Sequence, residues 1–195
     1  MRFPFTPKPI SGLAALLVLL GCGGAKQSQD VTSTANAPVK AVALVYTAPT
    51  AGGYQLVKDA SSSSTHLVLG LVGPAGTQIK GVVLTLNADA AKTTWNNPGG
   101  TADPYIKEGQ LLALGAGTKL MKSQLSGSSL QLALFQKGTA PAATLDNQPI
   151  LSVALDLKAG ATPGPVSLSS ATAQILDATG TTQAITVAVG TLTAQ

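Results

Sequence analysis

The sequence predicts an all-β body, a sandwich or barrel of nine or ten short strands. Three observations carry this. Apolar residues recur at a period of two, as in Ser129-Leu130-Gln131-Leu132-Ala133-Leu134-Phe135, which sets three leucines on one face. Glycine- and proline-rich turns punctuate the chain at short intervals. No segment has the 3.6-residue period of a long amphipathic helix, and residues 88–94 allow a single helical turn at most. Short strands separated by such turns are the pattern of sandwiches and barrels.

The elements follow in order. Ala41-Val42-Ala43-Leu44-Val45-Tyr46 is an apolar run that stops at Pro49 and Gly52-Gly53. Tyr54-Gln55-Leu56-Val57 comes next, then a polar tip at residues 61–64. Residues 66–72 form a strand ending at Gly73-Pro74, and residues 79–86 a longer one. Residues 87–105 read as the longest irregular stretch, centred on Asn96-Asn97-Pro98-Gly99-Gly100. Residues 110–114 are apolar and break at Gly115-Ala116-Gly117. After residues 129–135 comes a strand over 150–157, where Leu151, Val153, Leu155 and Leu157 point one way. Residues 166–168, 173–176 and 185–192 complete the series, with turns at Thr162-Pro163-Gly164-Pro165 and Asp177-Ala178-Thr179-Gly180.

The amino terminus carries a different message. Arg2 and Lys8 precede an apolar stretch over residues 13–20, and small residues follow, which is the layout of a secretory signal. The stretch is too short to span a bilayer, which takes about 20 apolar residues. The run Leu19-Leu20-Gly21-Cys22 resembles the lipobox of bacterial lipoproteins, and Cys22 is the one cysteine in the chain. That resemblance implies diacylglyceryl transfer to the Cys22 sulfur, cleavage between Gly21 and Cys22, and acylation of the new amino terminus. Gly23 in place of aspartate implies, by resemblance to sorting in double-membrane bacteria, an outer-membrane destination. Several acyl chains bury methylenes at about 0.8 kcal/mol each, enough for stable anchoring.

Three segments are therefore expected: a lipoprotein signal over 1–21, a lipidated flexible tether over 22–39, and a folded domain over 40–195. The tether has almost nothing to bury. Loss of Arg2 and Lys8 leaves ten lysines against eight acids, a net charge of +2. The lysines are scattered and aromatics are scarce, which excludes a nucleic-acid partner. With Cys22 lipidated no cysteine remains for a disulfide, so the fold rests on its apolar core.

The carboxy-terminal third is the most specific. An alternating strand, Ile150-Leu151-Ser152-Val153-Ala154-Leu155-Asp156-Leu157, leads to a Gly/Pro turn over residues 160–165. Val166-Ser167-Leu168-Ser169-Ser170-Ala171 follows, then Ile175-Leu176-Asp177, Gly180 and a final Gly190-Thr191-Leu192-Thr193. This order resembles the second half of cohesin domains and related carbohydrate-binding-module-like sandwiches, well over residues 149–194 and loosely over 40–195. Cohesins usually carry a Tyr-Asp-Pro segment after the early long strand. Here Leu86-Asn87-Ala88-Asp89 stands there without proline. The resemblance implies a jelly-roll-type antiparallel sandwich of about nine strands that binds through a sheet face. It does not imply a dockerin partner.

Catalysis is not expected. His66 is the single histidine, no Gly-x-Ser-x-Gly elbow accompanies it, and it reads as a surface residue. Asp89, Asp103 and Glu108 surround the long loop without a spacing that specifies acid–base chemistry. No metal-ligating pattern appears and no cofactor is expected. Trp95, Asn96, Asn97 and Tyr105 are the candidate ligand-binding residues, since an exposed aromatic beside amides can stack on a sugar ring and bond its hydroxyls. The alternative for Trp95 is a cap on the core. The reading is a membrane-anchored, non-catalytic binding or scaffolding module for a polysaccharide or an envelope protein. The alternative is a structural accessory lipoprotein of an envelope or secretion assembly.

Overall fold

In the computed structural model, the described residues are 38–50, 52–100, 103–113, 119–136 and 140–195. Gly21, Cys22, the signal segment and nearly all of the expected tether lie outside them.

Two six-stranded sheets and one three-stranded sheet make up the body. The small sheet joins β1 (Leu44–Thr47), β15 (Thr191–Ala194) and β11 (Gly164–Val166) in the order β1-β15-β11. The second sheet runs β14 (Val187–Ala188), β2 (Tyr54–Lys58), β3 (His66–Val72), β10 (Leu151–Leu157), β5 (Thr93–Asn96), with β6 (Lys107–Glu108) also on β10. The third runs β13 (Thr182–Ala184), β12 (Leu168–Asp177), β4 (Gln78–Ala88), β8 (Ser129–Gln136), β7 (Lys119–Ser126), with β9 (Ala143–Thr144) beside β4. Every ladder is antiparallel except β14 on β2. Ten of these strands have four or more residues, close to the number that turn spacing predicts.

Alternation decides the core. Leu67, Leu69, Leu71, Leu151, Val153 and Leu155 line the inner face of the second sheet, and Val82, Leu84, Leu86, Leu130, Leu132 and Leu134 that of the third. These residues belong to one buried cluster. Each such side chain is worth about 1.5–3 kcal/mol on burial.

The structure corrects four element expectations. Residues 87–105 are not wholly irregular: β4 reaches Ala88, and Thr93–Asn96 is a strand. Residues Gln110–Ala113 form the helical turn α1. The first apolar run is extended as a paired strand only from Leu44, because the amides of Val42 and Ala43 both donate to the Gln195 carbonyl. The segment over 185–192 divides into β14 and β15, which pair in different sheets. Strand β7 (Lys119–Ser126) has no counterpart among the expected elements.

Strands β5 and β6 lie along one edge of β10, pairing with residues 154–157 and 151–152 respectively. They lie in line along β10, and residues 97–100 and 103–106 belong to the excursion between them. Asp103 holds that excursion: its carboxylate accepts the amides of Tyr105 (3.0 Å), Ile106 (3.2 Å) and Ser123 (3.1 Å) and the Ser123 hydroxyl. Ser123 is on β7, so the excursion ties the edge of the second sheet to that of the third.

Candidate functional site

The four expected ligand-binding residues do not form one surface. Trp95 pairs with Leu155 and faces the core, only 6% exposed. Its indole N–H donates to the Ser128 carbonyl at 2.9 Å, fastening β5 to the β7–β8 turn. It has no open face for a sugar ring, and the core role applies instead. Tyr105 is half-buried against the same cluster. Asn97 is spent on the excursion: its Oδ1 accepts from the Gly99 amide (2.7 Å) and its Nδ2 donates to the Asp103 carbonyl (3.3 Å).

Asn96 points the other way. Its partner in register is Ala154, on the outer face of the second sheet, and its side-chain amide donates to the Asp156 carboxylate. The other Asp156 oxygen meets His66 Nδ1 at 2.5 Å. His66, Asp156 and Thr94 are cross-strand neighbours on β3, β10 and β5. His66 thus belongs to a cluster on a sheet face, at about 31% exposure. The sequence held one clue: alternation places Ser152, Ala154 and Asp156 on the face opposite the leucines. The partner of Asp156 depends on register across 90 residues, which the strand patterns do not show.

Asp89 and Asp103 are engaged structurally. Asp89 closes a turn, its carboxylate accepting from the Ala91 amide at 2.8 Å and its carbonyl from the Thr93 hydroxyl at 2.9 Å. Asp103 is engaged as described. Among the described residues no group of three or more His, Cys, Asp or Glu side chains is placed to hold a metal ion.

The two sheets differ in what covers them. On the outer face of the second sheet, Val68 and Ala154 are 3% and 1% exposed, so its centre is covered, while Thr94 and Asn96 at one edge stay exposed and His66 and Asp156 half-buried. The outer face of the third sheet is open. Lys122, Gln124, Gln131, Thr172 and Gln174 are exposed there, with Val83, Thr85 and Ala133 half-buried between them. A shallow trough of about 210 Å³ runs between Val83, Lys122, Gln124, Gln131 and Ala133. The face is rigid, since every strand is paired along its length, and it mixes amides, hydroxyls and one ammonium with small apolar patches.

No protein-family model matches the chain, and no curated protein matches it. Among solved structures it is similar to several cohesins. One is a chain of a type II cohesin–X–dockerin complex from Acetivibrio cellulolyticus, with 10% identity and a TM-score of 0.54 over 70% of this chain and 93% of that one. Another is the second type II cohesin module of the adaptor scaffoldin ScaA of the same organism, with 11% identity and a TM-score of 0.54 over 72% and 87% of the two chains. A type II cohesin domain from its cellulosome gives 12% identity and a TM-score of 0.51 over 72% and 93%. The fold is a cohesin-like antiparallel β-sandwich.

Proposed function

We propose that this chain is a membrane-anchored, non-catalytic protein-binding module that docks its partner on the outer face of the third sheet. The observation that carries this is the contrast between faces. The second sheet is covered at the centre of its outer side; the third presents five strands with exposed amide, hydroxyl and lysine side chains and no other described residue over them. Flat faces of this kind bind by shape and hydrogen bonding, with a few central side chains carrying most of the energy. A protein partner is favoured because one of the similar structures is itself a cohesin–X–dockerin complex. The partner here is an envelope protein recognised by its own surface, and no dockerin is required. Anchoring follows from the lipobox resemblance: lipid on Cys22, cleavage after Gly21, and the residues from 22 to 39 as spacer, with the outer membrane as destination.

The test is photo-crosslinking in living cells expressing the full chain. A photoreactive side chain at Gln131 or Gln124 should capture one envelope protein, and one at Asn147, off that face, should not. Equal labelling from all three positions, or none from any, overturns the docking face. Anchoring is tested by Cys22→Ser, which should block palmitate labelling and release the chain from the membrane fraction.

A further inference from the structure

The run Ala41-Val42-Ala43-Leu44-Val45-Tyr46 is apolar at every position, unlike β12, whose outward positions include Ser169, Thr172 and Gln174. Its inward positions are filled: Ala41, Leu44 and Tyr46 are buried. Its outward positions are bare. Four large apolar side chains are exposed among the described residues, and three of them are Val39, Val42 and Val45, at 75%, 73% and 40%. Strand segments apolar on both faces are normally covered on both, and a contiguous exposed apolar patch marks a contact surface.

The valines do not face outward because the segment is loose. The Ala41 amide donates to the Ala161 carbonyl at 2.7 Å, and the Leu44 amide to the Ser64 carbonyl at 2.7 Å. The amides of Val42 and Ala43 reach the Gln195 carbonyl at 2.5 and 2.8 Å. The backbone is pinned, and the side chains are presented to the outside.

The surface continues without a charge onto the outer face of the small sheet. Val45 pairs with Thr193, which pairs in turn with Pro165, and Thr47 pairs with Thr191. Lysines stand at its margin. Lys40 is exposed beside Val39, Lys92 Nζ donates to the Pro165 carbonyl at 2.8 Å, and the Lys158 carbonyl accepts the Ala161 amide at 3.1 Å. Asp89 shares the turn of Lys92, with its carboxylate on the Ala91 amide at 2.8 Å. An apolar centre edged by lysines suits the boundary between head groups and acyl chains.

We propose that this face rests on the bilayer that holds the lipid anchor. The inference rests on the anchoring reading above, and the order of the chain favours a membrane over a protein partner here. Val39 follows Cys22 by 17 residues, a length that spans at most about 60 Å when fully extended. The anchored chain thus enters the domain at its most apolar exposed face. Contact between that face and the bilayer is then intramolecular, so a patch too small to bind from solution suffices. The valines enter the head-group boundary and the lysines meet lipid phosphates. The contact gives the domain one orientation on the membrane.

The test is fluorescence quenching on the lipidated chain in vesicles of phosphatidylethanolamine and phosphatidylglycerol, with and without bromine high on the acyl chains. Trp95 is the one native tryptophan and is buried, so it supplies a constant baseline. Val42→Trp and Val45→Trp replace exposed side chains and should leave the fold intact. Their added emission should shift to the blue and be lost in brominated vesicles, while that of Gln131→Trp should not change. Equal quenching in all three variants, or quenching in none, overturns the proposal. A blue shift that grows with protein concentration, without quenching, places a second copy on the face and overturns it too. Flotation with the vesicles reads the anchor separately. Should the chain carry no lipid, coupling Cys22 to a maleimide phospholipid restores attachment, and the quenching still decides.

Discussion

Gly109 lies against the carbonyl of Pro149. A Cβ built on Gly109 would sit 1.6 Å from that oxygen, so no side chain fits without moving one strand off the other. The contact clamps the β6–α1 corner to the start of β10, and only glycine permits it.

Gly109→Ala should therefore destabilise the domain by about 1–3 kcal/mol, the usual cost of overpacking. Urea unfolding would show a lower midpoint with the same slope. A midpoint equal to wild type would mean the clamp is not as tight as the geometry makes it.

Trp95→Phe should cost about 1 kcal/mol through the lost bond to the Ser128 carbonyl, and Trp95→Ala about 3–5 kcal/mol through the cavity it leaves. Thermal unfolding monitored by far-UV circular dichroism measures both. A fully folded, wild-type-stable Trp95→Ala would contradict its place in the core.

Much of this fold is legible in the sequence where one face of a strand is apolar and the other is not. Strands β8 and β10 show this, and their alternation tells which face turns inward, though not which strand pairs with which. Strand β7 does not. Its inner positions are Met121, Ser123 and Leu125, and an exposed Leu120 lies on the outer side. Ser123 is turned inward because its hydroxyl and amide serve Asp103 on the excursion, a tertiary demand that overrides the period. A cue was present, since Gly127-Ser128 between Ser126 and Ser129 is a two-residue hairpin turn with Gly127 at φ 60°. Trp95 was hidden for a related reason. Four residues are too few to display alternation, and the Asn-Asn-Pro-Gly-Gly run beside them reads as loop. The cluster of His66, Asn96 and Asp156 comes from β3, β5 and β10, so its convergence depends on topology.

Alkaline conditions should weaken the fold through Tyr46. Its hydroxyl donates to the Leu56 carbonyl at 3.0 Å and accepts from the Gly190 amide at 2.9 Å. Burial pushes its pKa above the ordinary tyrosine value, opposed in part by the Gly190 bond. The folded state thus holds the phenol proton more tightly than the unfolded chain. The associated stability is complete below about pH 10 and is lost as pH rises through the folded value. Tyr46→Phe should flatten that alkaline limb while lowering stability at neutral pH, measured by urea midpoints from pH 7 to 11.

Acid should weaken it through Asp59 and Asp177. Asp177 sits in a turn, where its carboxylate accepts the Thr179 hydroxyl (2.7 Å), the Thr181 amide (2.9 Å) and the Gln183 side chain (2.7 Å). Its pKa is lowered by the Thr179 hydroxyl foremost, and that of Asp59 by Ser61. Lowered carboxyl values contribute stability above about pH 4 that disappears as pH falls through the folded values. Asp177→Asn should reduce the loss between pH 4 and pH 2 in the same measurement. An unchanged acid limb would remove Asp177 from this account.

The pairing of Leu44 with Ala194 and of Thr47 with Thr191 has a kinetic meaning. The first strand of the body finds its hydrogen-bond partner in the last, so the small sheet cannot form until both ends of the domain are present together. Contacts this remote in sequence favour slow folding, in milliseconds to seconds. A ribosome still making the chain, or a pore passing it thread-first, would hold a sandwich waiting for its final seam.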